Sequence, residues 1–211
     1  MAFYYSKKWD DGSMLAIWEI EETEEELLKL SAVPHEELEE LRHIGNEKRR
    51  KERLAVRALL HHVFGEKVYL SYYENGRPFL QNSIVELSIA HTQRFAAIFT
   101  HPYDNVGVDI ESLQRDFSAV ENKALSEEEK EYLSERQRSL HLAILWCAKE
   151  AIYKLMSRHD VDFAKQIHIE KFSPKEKGSI DAHFYQKDGE DIELEVYYKV
   201  FDDHVAAWVL S

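Results

Sequence analysis

Among 211 residues there is one cysteine, Cys147, which excludes an internal disulfide framework and fits a reducing compartment. No apolar run approaches the roughly 20 residues needed to span a bilayer, so no membrane association is expected. Positive charge is in short supply: 27 Lys and Arg stand against 40 Asp and Glu, a formal net charge of -13. That balance argues against a general nucleic-acid binder, whose surface is normally basic. Met1 to Asp10 holds lysines and aromatics but no apolar core and no small-residue cleavage site, so it does not read as a secretory leader. Neither a Gly-x-x-x-x-Gly-Lys-Ser/Thr phosphate loop nor a dinucleotide fingerprint occurs. What remains is a globular chain expected in the cytoplasm, long enough for one large domain or two small ones.

The charge is unevenly spread. Glu19 to Glu40 is crowded with glutamates, whereas Arg42 to Arg57 carries Arg42, Lys48, Arg49, Arg50, Lys51, Arg53 and Arg57. On a helix Arg49, Arg53 and Arg57 fall at i, i+4 and i+8, a cationic stripe. Such a stripe is either a solvated face balanced by the glutamates or a site for a phosphorylated ligand or acidic partner.

Periodicity and punctuation set out an α+β chain. Ser13 to Ile20 reads as a strand, and Thr23 to Leu30 and Pro34 to Leu41 as short acidic helices. Asn46 caps a longer helix through Phe64 that Gly65 ends. Val68 to Tyr73 is a strand, Asn75-Gly76 a turn, and Pro78 keeps the chain extended behind Arg77. Glu86 to Ile89 and Phe95 to Thr100 form a hairpin around Thr92-Gln93-Arg94. In the second half Val106 to Glu111 is a strand, Ser126 with Glu129 makes a capping box, and Leu140 to Ser157 is a long helix. Ile167 to Phe172, Ser179 to Gln186, Ile192 to Val200 and His204 to Leu210 are strands, with Asp188-Gly189 as a hairpin turn.

The halves echo each other. Arg94-Phe95-Ala96-Ala97-Ile98-Phe99 resembles His204-Val205-Ala206-Ala207-Trp208-Val209, each the return strand of a hairpin. Leu15 to Glu19 corresponds in order to Gly107 to Glu111, and each precedes a long helix. An internal duplication follows, with lobes 1–103 and 104–211, the stretch His101 to Asn105 between them. Each lobe is expected to pack a small antiparallel sheet on a long helix, with the site in the cleft between lobes. A duplication that supplies both sides of a cleft favours a monomer.

In Gly107-Val108-Asp109-Ile110-Glu111 alternation puts both carboxylates on one strand face. In Trp146-Cys147-Ala148-Lys149-Glu150-Ala151-Ile152-Tyr153-Lys154 the spacing puts Glu150 and Lys154 on one helix side, where they also suit a plain surface ion pair. Leu145, Ala148, Ile152 and Leu155 are the buried stripe, flanked by Trp146. A third acid beside the first two is tolerable if one stays protonated or if a hard cation sits among them. Three oxygen ligands flanked by lysines suit a magnesium ion holding a phosphate. Cys147 falls inside a buried helix with nothing to lower its pKa, so it does not read as a nucleophile.

Four segments, Asn75-Gly76-Arg77-Pro78, Ser88-Ile89-Ala90-His91-Thr92, Gly107 to Glu111 and Trp146 to Lys154, occur in an order and spacing that resemble the 4'-phosphopantetheinyl transferase superfamily. The resemblance is to its long, two-lobed Sfp-type branch and covers almost the whole chain. It implies Mg2+-dependent transfer of 4'-phosphopantetheine from coenzyme A to a serine of an apo acyl or peptidyl carrier protein, releasing adenosine 3',5'-bisphosphate. Asp109, Glu111 and Glu150 match the family's metal ligands, and Glu150, Lys154 and Asp109 its catalytic positions. Lys149 and Lys154 match its phosphate-facing lysines, and Arg77-Pro78 stands where the family usually has Lys-Pro. His91 matches the histidine that contacts coenzyme A, and Arg49 and Arg53 lie in the region near the 3'-phosphate. Ala90 replaces the usual serine before that histidine, a loss for which Thr92 or Ser88 compensates. Against this stand two other readings, a non-catalytic binder of coenzyme A or carrier and a different Mg2+-dependent phosphotransferase.

Overall fold

A computed structural model of the chain describes residues 3–65, 68–186 and 189–211, and the side chain of Glu36 is outside the description. It divides into two compact units, Met1–Tyr103 and Asp104–Ser211. Both are α+β, with antiparallel sheets packed on a long helix.

In the N-terminal unit β1 (Phe3–Lys8) and β2 (Met14–Glu19) lead into α1 (Glu24–Ser31), α2 (His35–Arg42) and the long α3 (Glu47–Phe64). A small hairpin of β3 (Leu70–Tyr72) and β4 (Pro78–Leu80) follows, then β5 (Glu86–His91) and β6 (Phe95–His101). The main sheet has the order β1-β2-β6-β5. Helix α3 starts where the Asn46 side chain accepts from Arg49 N and stops at Gly65, whose φ is +86°. Its apolar stripe, including Leu54, Ala55, Ala58 and Leu59, buries against Ala16, Trp18, Ala96 and Ile98 of the sheet. Between β3 and β4, Tyr73 N donates to Arg77 O across a turn in which Gly76 holds φ at +79°.

In the C-terminal unit β7 (Val106–Ser112) is followed by α4 (Ser118–Ala124), α5 (Glu127–Glu131), the long α6 (Arg138–Met156) and the single turn α7 (Phe163–Gln166). The remaining strands are β8 (Ile167–Ile169), β9 (Lys177–Phe184), β10 (Ile192–Phe201) and β11 (His204–Leu210), and the sheet order is β7-β11-β10-β9-β8. Alternation along β9 and β10 turns Ile180, Ala182, Phe184, Leu194 and Val196 into the core against α6, with polar residues between them facing outward.

Each unit thus repeats one plan. A strand (β2 or β7) leads into helices that include a long one (α3 or α6). A closing hairpin then inserts its last strand (β6 or β11) between the first strand and its own partner. The duplicated order read from the echoed segments is therefore present in three dimensions.

The structure adds elements that the sequence pattern did not announce. Strand β1 occupies the edge beside β2, and α4 and α7 are short. Strand β8 ends at Ile169 rather than Phe172. Phe172 instead turns its ring edge-on to His141, with centroids 4.5 Å apart. The expected turn at Asp188-Gly189 involves Asp188, which lies outside the described residues.

Candidate active site

Helix α6 can lie close on β7 because Gly107 has no side chain: a Cβ there would run into the Ala151 carbonyl. The two-residue repeat of the strand carries that helix-facing side forward to Asp109 and Glu111. From the helix, Trp146, Glu150 and Lys154 recur every four residues and meet this row.

Asp109 is buried, at 7% exposure. Its Oδ1 accepts from Lys154 Nζ at 2.8 Å, and the same ammonium donates to Val108 O at 2.9 Å. Its Oδ2 is buried with no hydrogen-bond partner. Lys154 is thus bound to Asp109 rather than paired with Glu150 along the helix as the spacing suggested.

Glu111 is held from two sides. Its Oε1 accepts from Trp146 Nε1 at 2.8 Å and forms a very short ion pair with Arg115 Nη1. Burial and then the Asp109 charge push its pKa up, against the pull of Arg115 and Trp146.

Glu150 is half-buried, and among the described residues no cation forms an ion pair with it. Desolvation foremost, then the charge of Asp109, raises its pKa to about 7; Glu111 adds to the rise and Lys154 and Arg115 oppose it. The charges of Asp109 and Glu111 thus both reach Glu150 and oppose its ionisation.

Among the described residues no three His, Cys, Asp or Glu side chains are already gathered into a cage for a cation. That departs from the expectation of a ready three-acid site, and the reason is visible: Lys154 and Arg115 occupy the charges of Asp109 and Glu111. The donor set still fits a hard divalent ion, because Asp109 Oδ2 is an orphaned buried oxygen and oxygen ligands are what Mg2+ takes.

Lys149 has a different place from the one its motif suggested. It is fully buried, and its ammonium donates to Glu129 Oε2 at 2.8 Å, Phe163 O at 2.9 Å and Ile167 O at 2.5 Å. Glu129 Oε1 in turn accepts from Ile169 N at 3.0 Å, and Tyr132 OH donates to Ile169 O at 2.7 Å. These side chains satisfy the outward backbone groups of β8, closing the sheet edge. Desolvation lowers the Lys149 pKa and the Glu129 charge counteracts it. With all three donor directions used, Lys149 offers no charge to a phosphate.

Cys147 is buried, with Sγ 3.5 Å from Val205 O, and burial pushes its thiol well above the ordinary range. It is inert, as its helical position implied.

In the N-terminal unit the cationic stripe is only partly free. Arg50 is pinned by Glu24 and the Ile44 carbonyl, and Arg57 by Glu37. Arg49 and Arg53 are exposed, and their guanidinium groups have no protein partner among the described residues. Beside them the start of α3 touches the β5–β6 turn: Lys48 Nζ lies 3.4 Å from Gln93 Oε1, and His91 Nδ1 lies 3.5 Å from Glu52 Oε2. The Thr92 hydroxyl accepts from Arg94 N and Phe95 N, so it shapes that turn. Arg77 pairs with Glu86, at the other end of β5 from His91, and Pro78 opens β4. Ala90 is buried at 4% exposure.

Sequence reasoning missed two residues here. Arg115 lies four residues past Glu111 in the turn after β7, and no pattern in the sequence singled it out. Glu129 was recognised as a helix cap, and nothing in the sequence linked it to Lys149.

Residues 105–209 match the family model described as the 4'-phosphopantetheinyl transferase superfamily. This span holds Asp109, Glu111, Glu150 and Lys154, and it carries a domain of that superfamily, a family of transferases. No curated protein matches the chain. Among the described residues no helix is long and apolar enough to cross a membrane.

Proposed function

We propose that this protein transfers the 4'-phosphopantetheine arm of coenzyme A to a serine of an apo carrier protein. The observation that carries this reading is the placement of three mutually repelling carboxylates and Lys154 between β7 and α6, inside the span that matches the superfamily. The serine oxygen forms a bond to the phosphorus that carries pantetheine. The bond from that phosphorus to adenosine 3',5'-bisphosphate breaks, and the nucleotide leaves with the electron pair.

Such chemistry asks the protein for positioning and charge neutralisation. Asp109, Glu111 and Glu150 are the residues assigned to hold Mg2+, which when bound neutralises phosphate charge. Lys154 is fixed by two hydrogen bonds beside Asp109, where its charge opposes that of the departing nucleotide. The serine proton goes to a carboxylate of the cluster, and Glu150 is assigned that role because no protein cation holds it. Arg49, Arg53 and His91 are assigned to the phosphates of coenzyme A, being exposed groups on one end of the N-terminal unit. Arg77 joins them only by giving up Glu86. Thr92 and Pro78 shape the backbone near these groups. A cytoplasmic monomer is the setting this reading assigns.

The test is to incubate the protein with coenzyme A, Mg2+ and an apo acyl or peptidyl carrier protein, and to weigh the carrier. A mass gain of one phosphopantetheinyl group, abolished by Asp109→Ala in a protein that still folds, is the expected result. Coenzyme A binding without any gain would leave a binder and remove the transferase reading.

A further inference from the structure

Arg115 stands at the acid cluster with part of its guanidinium unused. One nitrogen, Nη1, is committed to Glu111 Oε1. The other side-chain N–H groups have no protein partner among the described residues, and the side chain is 43% exposed. The guanidinium carbon lies 5.6 Å from the Phe117 ring centre and 5.4 Å from that of Trp146. Trp146 is itself stacked on Phe163, with centroids 5.5 Å apart. The cation is thus braced by aromatic faces, which fixes its direction without consuming its hydrogen bonds. It also acts on Glu150, whose raised pKa it pulls back.

Two facts make this arrangement more than a surface ion pair. Arg115 and Trp146 donate to the same oxygen of Glu111, Oε1, so the cation and the indole share one acceptor. Lys154 donates to one oxygen of Asp109, Oδ1, so each strand acid has its own cation in this geometry. Were a cation to draw on Glu111, Arg115 would keep a planar fork of donors whose direction the two rings hold. Arg matches phosphate oxygens bidentately, and charge-assisted bonds of this type are the strong ones.

We propose that Arg115 is a partner-exchange residue of the coenzyme A site: it holds Glu111 in the free protein and binds a diphosphate oxygen of coenzyme A once Glu111 turns to the metal. This rests on the transferase reading above and adds a substrate contact to it. Exchange of partners keeps each charge compensated throughout, whereas a cation fixed permanently on Glu111 would compete with the metal.

The proposal gives two effects of opposite sign for Arg115→Gln. Coenzyme A titrated calorimetrically into the full chain with saturating Mg2+ present should bind about tenfold or more weaker than in the wild type, the loss of one charge-assisted phosphate contact. Mn2+ alone, titrated with free manganese read by electron paramagnetic resonance, should bind at least about threefold tighter, because a competing cation has gone. Arg115→Lys, which keeps the charge but not the fork, should lie between wild type and Arg115→Gln for coenzyme A. Unchanged coenzyme A binding in Arg115→Gln, or equal weakening of both ligands as expected of a mere brace, overturns the proposal. A wild type that binds no coenzyme A overturns the transferase reading itself, which separates the two failures.

Discussion

The α-carbon of Gly107 faces the backbone carbonyl of Ala151 so closely that a methyl group there would overlap its oxygen and lie 2.9 Å from its carbon. This contact sets how near helix α6 lies to strand β7, and hence how near Glu150 and Lys154 lie to Asp109. Gly107→Ala has no rotamer with which to escape, since the obstacle is backbone on both sides. Overpacking of side chains costs about 1–3 kcal/mol, and here the cost should reach or exceed the top of that range. Urea unfolding of the variant should show it, and the fraction that folds should transfer phosphopantetheine far more slowly because the helix has been pushed off the strand. A variant with wild-type stability and turnover would mean that the approach is not this tight.

Lys149 and Glu129 make a fully buried ion pair whose remaining bonds go to the edge of β8. Lys149→Met strands the Glu129 carboxylate in the interior and exposes two carbonyls to nothing. Breaking one side of a buried pair costs about 3–5 kcal/mol. Chemical denaturation should show a loss of this size, while coenzyme A affinity of the folded fraction stays unchanged. If Lys149 instead reached a phosphate, the affinity would fall and the stability would hold.

Much of this molecule is legible in its sequence where local chemistry decides. Asn46 and Gly65 bound α3 through their capping and φ preferences, and Ser126 with Glu129 builds the expected box around α5. Alternation placed Asp109 and Glu111 on one face, and helical spacing placed Glu150 and Lys154 together. The errors fall where tertiary partners decide. A lysine beside a glutamate on a helix looks the same whether it faces solvent or the open edge of a strand, so Lys149 could be placed only once β8 was seen beneath it. The cationic stripe was a correct helix face, but Arg57 and Arg50 had already found Glu37 and Glu24 on other helices. Arg115 lies in the turn after β7, where no periodicity operates.

His141 is buried in α6 and accepts from Ser134 N through Nδ1 at 3.0 Å, while its Nε2 is buried with no hydrogen-bond partner. Desolvation lowers its pKa from 6.5 to about 4. The ring is therefore neutral in the folded protein under conditions where the unfolded chain would protonate it. Above about pH 6.5 both states are neutral and the residue adds no pH dependence. As pH falls from 6.5 towards 4 the unfolded state binds a proton that the folded state refuses, and stability drops by up to about 3 kcal/mol. Below 4 the loss is complete. Comparing urea midpoints of the wild type and His141→Phe from pH 7 to 4 should show a shallower decline in the variant. Parallel declines would mean that the imidazole is not what titrates.

Lys154 is anchored to β7 by two hydrogen bonds, its ammonium 2.8 Å from Asp109 Oδ1 and 2.9 Å from Val108 O. It is 28% exposed at the side chain, so part of its charge faces outward while the rest is anchored to the strand. Lys154→Met removes that cation and leaves Asp109 buried beside Glu111 and Glu150 with nothing to offset it. Glu111 and Glu150, on both of which the lysine charge acts, should then hold their protons to higher pH. Under the proposed assignment of this lysine to the charge that develops as the nucleotide leaves, the loss should fall on kcat, by roughly 10²-fold or more, with KM for coenzyme A moving less. Lys154→Arg keeps the charge but cannot reproduce both hydrogen bonds of a compact ammonium, so it should recover only part of the rate. Steady-state kinetics on the three proteins decide the matter: a variant whose KM rises while kcat stands unchanged would make Lys154 a binding residue only.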